Sequence, residues 1–381
     1  CRNKCLFFSF ISIINGYCHI NLSRRRMDSK IINILKKIFK VFSINIFFIL
    51  FFILFVEIFF GYWFDKDNFG PYMREHRMKN QRILWKDEIE ELTYFYRRNY
   101  YGFRGVDIDP SKIMGIIMGS SVIDERYKPE KYTITEFLNN KLKENNFNTV
   151  FINAGIEGQS SAGIVASFEK WLFKLENFSP KYILFYLGLN DSDHQNMNVA
   201  DDNAGHLLNP EKKDVLFDNI KSRSIIYDSI RKVKFKYLPR KGFVKYDGKI
   251  GENYISAYNF ISYNTLIEKY NLNPSVIENS KKISAYLKRI DKLNDYSKKL
   301  KSIPIFITNV GSNGYDLELF MYNQSLINHC VLKGYRCIDL AKKIKPDIRY
   351  WYGDKHTTKK GSFVISDLIF EDLKKILSKN N

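Results

Sequence analysis

Three short apolar runs, each closed by a glycine at the same kind of boundary, constrain this chain more than anything else in it. Ile113 to Met118 stops at Gly119, Thr149 to Asn153 leads to Gly155, and Tyr182 to Leu187 stops at Gly188. Between them lie stretches with apolar residues at helical spacing. Phe137, Leu138 and Leu142 fall within Thr135 to Asn145, and Phe168, Trp171, Leu172 and Leu175 follow the Gly- and Ser-rich stretch Gly158 to Gly163. Strands of this length alternating with helices predict an α/β fold of three layers, with a mostly parallel sheet covered on both faces. In such sheets ligands bind beyond the carboxyl ends of the strands. All three glycine boundaries fall there, so one pocket is expected to gather them.

The rhythm breaks and then returns. Residues 192–300 are charged and tyrosine-rich, with helical spacing from Ser275 to Leu300, and are expected to be an insertion over the sheet. Beyond it Ile303 to Val310 reads as a strand, Leu317 to Leu332 as a helix, Tyr335 to Leu340 as a short strand and Gly361 to Leu377 as a closing helix. The sheet domain is therefore expected over residues 113–381. Residues 65–112 serve as linker and lead-in, with helical character from Asp87 to Tyr94.

Ahead of the domain, Ile44 to Phe64 is apolar enough and long enough for a transmembrane helix, which needs about 20 such residues. Lys36, Lys37 and Lys40 precede it, and Asp65 and Asp67 follow. The positive-inside rule then puts residues 1–43 in the cytoplasm and the sheet domain outside. Tyr62 and Trp63 suit the outer interface, whereas Glu57 is costly in hydrocarbon unless it lies near the helix end. No small-residue cleavage site follows, which predicts an uncleaved anchor. The first methionine is Met27, directly after Arg24-Arg25-Arg26, so translation is expected to start there and residues 1–26 to lie upstream.

The net charge of +19 comes from lysines scattered among acidic residues rather than from one basic stripe with interleaved aromatics. It predicts a solvated surface and no nucleic-acid partner. Of five cysteines, Cys1, Cys5 and Cys18 precede Met27, and Cys330 and Cys337 are expected to be buried thiols. Asp191, Asp193, His194, Asp201, Asp202 and His206 offer carboxylate and imidazole ligands, but their spacing fits no closed metal site, and a solvated acidic loop is expected; neither metal nor cofactor is predicted.

Serine at a strand-to-helix boundary suggests nucleophilic catalysis, for which a hydroxyl needs an imidazole base and a carboxylate to orient it. Ser121 follows Gly119-Ser120. Taken alone, Gly119-Ser120-Ser121 reads as an ordinary turn with Ser120 as N-cap. Among six histidines, His19 precedes the anchor, His76 lies in the linker, His194 and His206 in the insertion, and His329 in a helix beside Cys330. Only His356 stands in a loop before the last helix with an acid, Asp354, two residues upstream.

Gly119-Ser120-Ser121, the isolated Gly155, Gly188-Leu189-Asn190-Asp191, and Asp354 with His356 stand in the order of the SGNH, or GDSL-like, hydrolases, and the chain resembles that family over roughly residues 96–377. Asn99 to Gly105 (Asn-Tyr-Tyr-Gly-Phe-Arg-Gly) and Asn153 to Ser161 resemble the lead-in and second block of membrane-anchored members. The resemblance implies the flavodoxin-like sheet of the SGNH fold. Ser121 would be the nucleophile, His356 the base and Asp354 its orienting acid. The Ser121 and Gly155 N–H groups and the Asn190 amide would form the oxyanion hole, whose single donors are each worth about 2.7–4 kcal/mol of barrier. It implies a membrane-anchored, extracytoplasmic esterase or acyltransferase acting on O-acyl, above all O-acetyl, groups of a cell-envelope or secreted polysaccharide. Two departures stand out: Ser120 occupies the place of the family's usual Asp, and the acid is two rather than three residues before the histidine, where Gly353 stands. They favour the alternative of a catalytically inactive SGNH-like domain that binds glycan or assists assembly.

Overall fold

A computed structural model describes residues 29–64, 81–87, 92–193, 217, 220–221, 223–237, 240–241, 262–270, 281–311, 317–345, 347–352 and 355–378. Asp354, Gly353, His19, His76, His194, Asp201, Asp202, His206, Cys1, Cys5 and Cys18 lie outside these residues. The chain divides into two units, residues 1–59 and 60–381.

The first unit contributes a single described helix, α1 (Ser29–Phe60). It starts earlier and stops sooner than the expected 44–64, and its portion apolar enough to cross a membrane is Asn33–Phe60. At about 1.5 Å per residue, 32 residues exceed a hydrocarbon core of about 30 Å, which leaves room for Lys36, Lys37 and Lys40 beyond it. Glu57 falls in the last turn of α1.

The second unit begins with a hairpin, β1 (Gln81–Asp87) paired antiparallel with β2 (Leu92–Arg98). This corrects the helical expectation for Asp87 to Tyr94. Thr93 and Arg97 are exposed while Tyr94, Tyr96 and Arg98 are buried, a period of two that outweighs the apolar spacing read as helical.

The main elements follow as β3 (Gly115–Met118), α2 (Ser121–Asp124), α3 (Ile134–Glu144), β4 (Phe151–Asn153), α4 (Ser161–Lys170), β5 (Tyr182–Tyr186) and α5 (Leu189–Asp193). Then come α6 (Ile225–Tyr237), β6 (Arg240–Lys241), α7 (Tyr263–Tyr270), α8 (Lys281–Lys299), β7 (Ile303–Ile307), α9 (Leu317–Lys333), β8 (Arg336–Ile338), α10 (Leu340–Lys343), β9 (Trp351–Tyr352), β10 (His356–Thr357) and α11 (Lys359–Ser378). Five strands pair in parallel in the order β4-β3-β5-β7-β8, the flavodoxin-like doubly wound order.

Alternation along the strands splits the core in two. Ile116, Met118, Ile183, Phe185 and Phe306 face α4 and α8, whereas Ile117, Leu184, Ile305, Ile307 and Ile338 face α3 and α11. The end of the stretch read as an insertion, α8, buries Ile283, Tyr286, Ile290 and Leu293 in the first of these clusters, as the crossover between β5 and β7. Cys330 and Cys337 form a disulfide, correcting the expectation of ordinary thiols. The chain reverses at Gly334, in the left-handed region (φ 68°), between the end of α9 and the start of β8, which brings the two cysteines together.

Candidate active site

The switch point of the sheet lies at β3, whose neighbours β4 and β5 leave it in opposite directions along the strand order. Register Met118↔Phe185 and Ile117↔Asn153 brings Gly119, Ala154-Gly155 and Leu187-Gly188 to one edge. The Gly119 carbonyl accepts the Ile156 N–H at 2.9 Å, and Ala154 N–H donates to Ile117 O at 2.8 Å.

Ser120 caps α2, its hydroxyl accepting the Val122 N–H at 3.4 Å. Ser121 is thereby the first helical residue, and its own N–H has no partner within the helix. His356 arrives from the far end of the chain in the two-stranded hairpin β9–β10, with Thr357 opposite Trp351. Its Nε2 lies 2.9 Å from Ser121 Oγ. That is hydrogen-bond reach for a base and its nucleophile. The Tyr127 ring meets the imidazole edge-on, centroids 5.1 Å apart.

Burial pushes the His356 pKa down from its ordinary 6.5 to about 4, helped by Lys128, Arg126 and Lys355 and opposed by Asp124. The imidazole is therefore neutral at neutral pH and able to accept a proton. Among the described residues no carboxylate bonds its Nδ1; Asp354 keeps that role as a proposal.

Beneath the serine turn lies a buried polar layer. Arg98 and Asp124 form a fully buried ion pair at 2.8 Å, and the Tyr96 hydroxyl donates to the same carboxylate oxygen at 2.8 Å. Arg98 also donates to Tyr96 Oη (2.6 Å), Gly102 O (2.7 Å) and Gly155 O (2.7 Å). Arg104 donates to the carbonyls of Asp124 and of Lys128 (2.8 Å), while its backbone bridges Arg98 and Asn153. The lead-in Asn99 to Gly105 thus has a physical task, which is to brace the serine turn against the Gly155 loop from below.

Gly155 is required here by backbone packing rather than by the approach of a substrate: a Cβ would stand 2.3 Å from the Asp124 backbone nitrogen. Its N–H donates to Asn153 Oδ1 at 3.0 Å, and Asn153 Nδ2 donates to the Ile123 carbonyl. For Gly155 to serve a substrate oxygen, that N–H must exchange Asn153 for it. Asn190 is half-buried in the first turn of α5, directly after the Gly188 boundary. Its neighbour Asp191 is buried and holds the start of α4. It accepts from Ser161 N–H at 3.1 Å and from Ser161 Oγ at 2.5 Å, with Arg289 Nη2 at 3.6 Å. Asp191 is therefore committed to structure, and the described residues include no cluster suited to a metal ion.

The residues that sequence reasoning passed over form one continuous run, Asp124-Glu125-Arg126-Tyr127-Lys128. Five polar or charged residues in a row read as surface, yet all are buried, between 0% and 7% exposed. Arg126 pairs with Glu157, whose carboxyl is held up by burial, and the Tyr127 hydroxyl donates to the same Glu157 oxygen at 3.1 Å. Burial pushes the Tyr127 phenol up to about 12, so it stays neutral beside His356.

No family model and no curated protein matches the sequence. Solved structures with similar coordinates include the psychrotrophic esterase EstA from Pseudoalteromonas sp. (14% identity, 70% of this chain and 100% of that one, TM-score 0.39). Others are a lipolytic G-D-S-L family protein from Veillonella parvula DSM 2008 (13%, 68% and 96%, TM-score 0.38) and the acetyl xylan esterase AlAXEase (12%, 68% and 98%, TM-score 0.36). What the site can do follows from its own geometry: a hydroxyl on a helix start, a neutral imidazole bonded to it, and N–H groups around the same sheet edge suit acyl transfer.

Proposed function

We propose that this chain is a serine esterase or O-acyltransferase of the SGNH kind, tethered by α1 with its sheet domain on the extracytoplasmic side. Its substrates would be O-acyl, above all O-acetyl, groups of a cell-envelope or secreted polysaccharide. The observation that carries the chemistry is the 2.9 Å contact between His356 Nε2 and Ser121 Oγ at the switch point of the sheet.

Ser121 Oγ attacks the ester carbonyl carbon while His356 Nε2 takes its proton. The tetrahedral oxyanion is met by the Ser121 N–H, the Asn190 amide and the Gly155 N–H once it leaves Asn153. Collapse breaks the bond to the sugar oxygen, which takes the proton back from His356 and departs as the alcohol. Water or another sugar hydroxyl, deprotonated by His356, then resolves the acyl-Ser121 ester. Asp354 orients the imidazole.

The location rests on α1 and its flanking charges, and on the Cys330–Cys337 disulfide, a bond favoured in oxidising compartments. The glycan substrate rests on that location. The test is acetate release from acetylated sugars or p-nitrophenyl acetate by the full chain in detergent. Wild type is expected to release it and Ser121→Ala to release none above background; equal release by both rules the mechanism out.

One observation favours the inactive reading instead, namely that the Gly155 N–H is already held by Asn153. A serine-directed fluorophosphonate separates the two, because an inert domain takes up no label.

A further inference from the structure

Ser121 and His356 are 235 residues apart in sequence, and each sits on a very small element: α2 has four residues and β10 two. Neither element alone can hold a contact of hydrogen-bond precision. What joins them is a second set of contacts, one residue beyond His356 and four to seven beyond Ser121, centred on the side chain of Lys128.

Lys128 Nζ is buried among five oxygens. It donates to Glu125 Oε1 (2.8 Å), Thr357 Oγ1 (2.9 Å), the Thr357 carbonyl, Ser362 Oγ (2.5 Å) and the Thr358 carbonyl (3.4 Å). An ammonium has three N–H donors, so it shares them among this set. Glu125 belongs to the serine side, its N–H closing the turn on Ser121 O at 2.8 Å; Thr357, Thr358 and Ser362 belong to the histidine side. The Glu125 carboxylate faces the same cluster, accepting from Thr357 Oγ1 (2.9 Å) and Ser362 Oγ (2.6 Å), and it ties down the start of α3 through Ile134 N–H (2.5 Å). Glu125 itself is held in the left-handed region (φ 45°), unusual for a side chain of its kind and sustained by these bonds. Thr357 follows His356 directly, so whatever fixes the Thr357 backbone carbonyl fixes where the imidazole stands.

We propose that Lys128 is a positioning residue for the Ser121–His356 pair, clamping the His356 strand to the serine turn through the Thr357 carbonyl and hydroxyl and through Glu125. The proposal rests on the esterase reading of that pair. Lys128 touches neither Ser121 nor His356 in any described contact and acts through Thr357. Its charge reaches the imidazole as well. Among the described residues the groups around His356 are Lys128 and Arg126 from the segment after α2, Lys355 just before its strand, Asp124 from α2 and the Tyr127 ring, and Lys128 is the leading cation among those that hold the imidazole pKa down. A merely structural lysine would leave the pH profile unmoved, whereas loss of this one is expected to shift it.

The experiment compares the wild-type full chain in detergent with Lys128→Arg, Lys128→Met and the double variant Glu125→Gln with Lys128→Met. The double variant removes both members of the buried pair together, the change such pairs tolerate best. The readouts are the melting temperature, kcat and KM for p-nitrophenyl acetate across pH, and the rate of fluorophosphonate labelling. In the folded double variant kcat is expected to fall about 10²-fold with KM little changed, the loss that a displacement of about 1 Å produces. In Lys128→Met, which removes the cation alone, the acid limb of kcat/KM is expected to move to higher pH, while Lys128→Arg keeps it in place. A folded double variant with wild-type kcat overturns the proposal, and so does a folded Lys128→Met whose acid limb stays in place. If wild type neither turns over nor labels, the esterase reading fails and takes the proposal with it; turnover by wild type with an indifferent Lys128 overturns the proposal alone.

Discussion

Two histidines in this molecule have closely matched surroundings and opposite prospects. His356 Nε2 is 2.9 Å from a serine hydroxyl and meets a tyrosine ring edge-on at 5.1 Å. His329 Nε2 is 2.7 Å from the Asp291 carboxylate and meets Tyr335 edge-on at 5.8 Å, with the Tyr335 hydroxyl donating to the same carboxylate at 2.8 Å. By pairwise contact alone, His329 has the better-formed partner. Place in the fold separates them. His356 meets a residue that follows the carboxyl end of β3, at the switch point, while His329 spans α8 and α9 next to Tyr335, which enters β8 at its amino end. A carboxylate also leaves an imidazole nothing to activate, whereas a serine hydroxyl supplies a nucleophile. The comparison teaches that the edge of the sheet and the partner's chemistry, rather than the quality of one hydrogen bond, make a candidate site.

The widest gap between the two is expected from removing each imidazole. His356→Ala should lower kcat for p-nitrophenyl acetate by roughly 10⁶-fold, as loss of the base from a serine machine does, with little change in melting temperature. Next comes the layer under the serine turn, which has no counterpart at His329. Arg98→Met leaves Asp124 as a buried, unpaired carboxylate and should destabilise the fold by about 3–5 kcal/mol in chemical denaturation.

The acid limb is the third way to sharpen the contrast. A base works in its neutral form, and burial with three nearby cations places the His356 pKa at about 4. Activity should therefore persist as pH falls through 6.5 and disappear only near 4, measured as kcat/KM against pH on a chain that remains folded. Loss of activity centred at 6.5 would break the electrostatic account. The smallest effect belongs to His329→Ala, expected to cost about 1 kcal/mol of stability and to leave kcat within twofold of wild type.

Much of this was legible in the sequence because it is written in short-range pattern. The strand runs β3, β4, β5 and β7 are marked by apolar length and a following glycine, and their alternation with helices points to a mostly parallel sheet covered on both faces, while its flavodoxin-like order came only with the family resemblance. Ser121, His356 and the Asn190 turn stand out as candidates in the sequence because each lies at a strand end or just before a helix. Other features were hidden for physical reasons. The hairpin β1–β2 is hidden in the stretch read as helical from Asp87 to Tyr94, and only the burial of Tyr94, Tyr96 and Arg98 reveals the period of two. The burial of Asp124 to Lys128 is not visible locally, because Arg98, Arg104, Glu157 and Thr357, which satisfy their charges, come from four separate segments. The disulfide was hidden because pairing of Cys330 with Cys337 depends on how the turn at Gly334 folds the end of α9 back toward β8. What requires a glycine at position 155, the close approach of the Ile123 and Asp124 backbone, is visible only in the fold.

The central claim is that Ser121 is an activated nucleophile because His356 is bonded to it. Its most direct test is to react the full chain with a fluorophosphonate at neutral pH and to locate the adduct by peptide mass spectrometry, in wild type and in His356→Ala. The account predicts one adduct, on Ser121, formed rapidly in wild type and at least about 10³-fold more slowly without the imidazole. An adduct on another serine, or labelling of Ser121 at the same rate in both proteins, would contradict it.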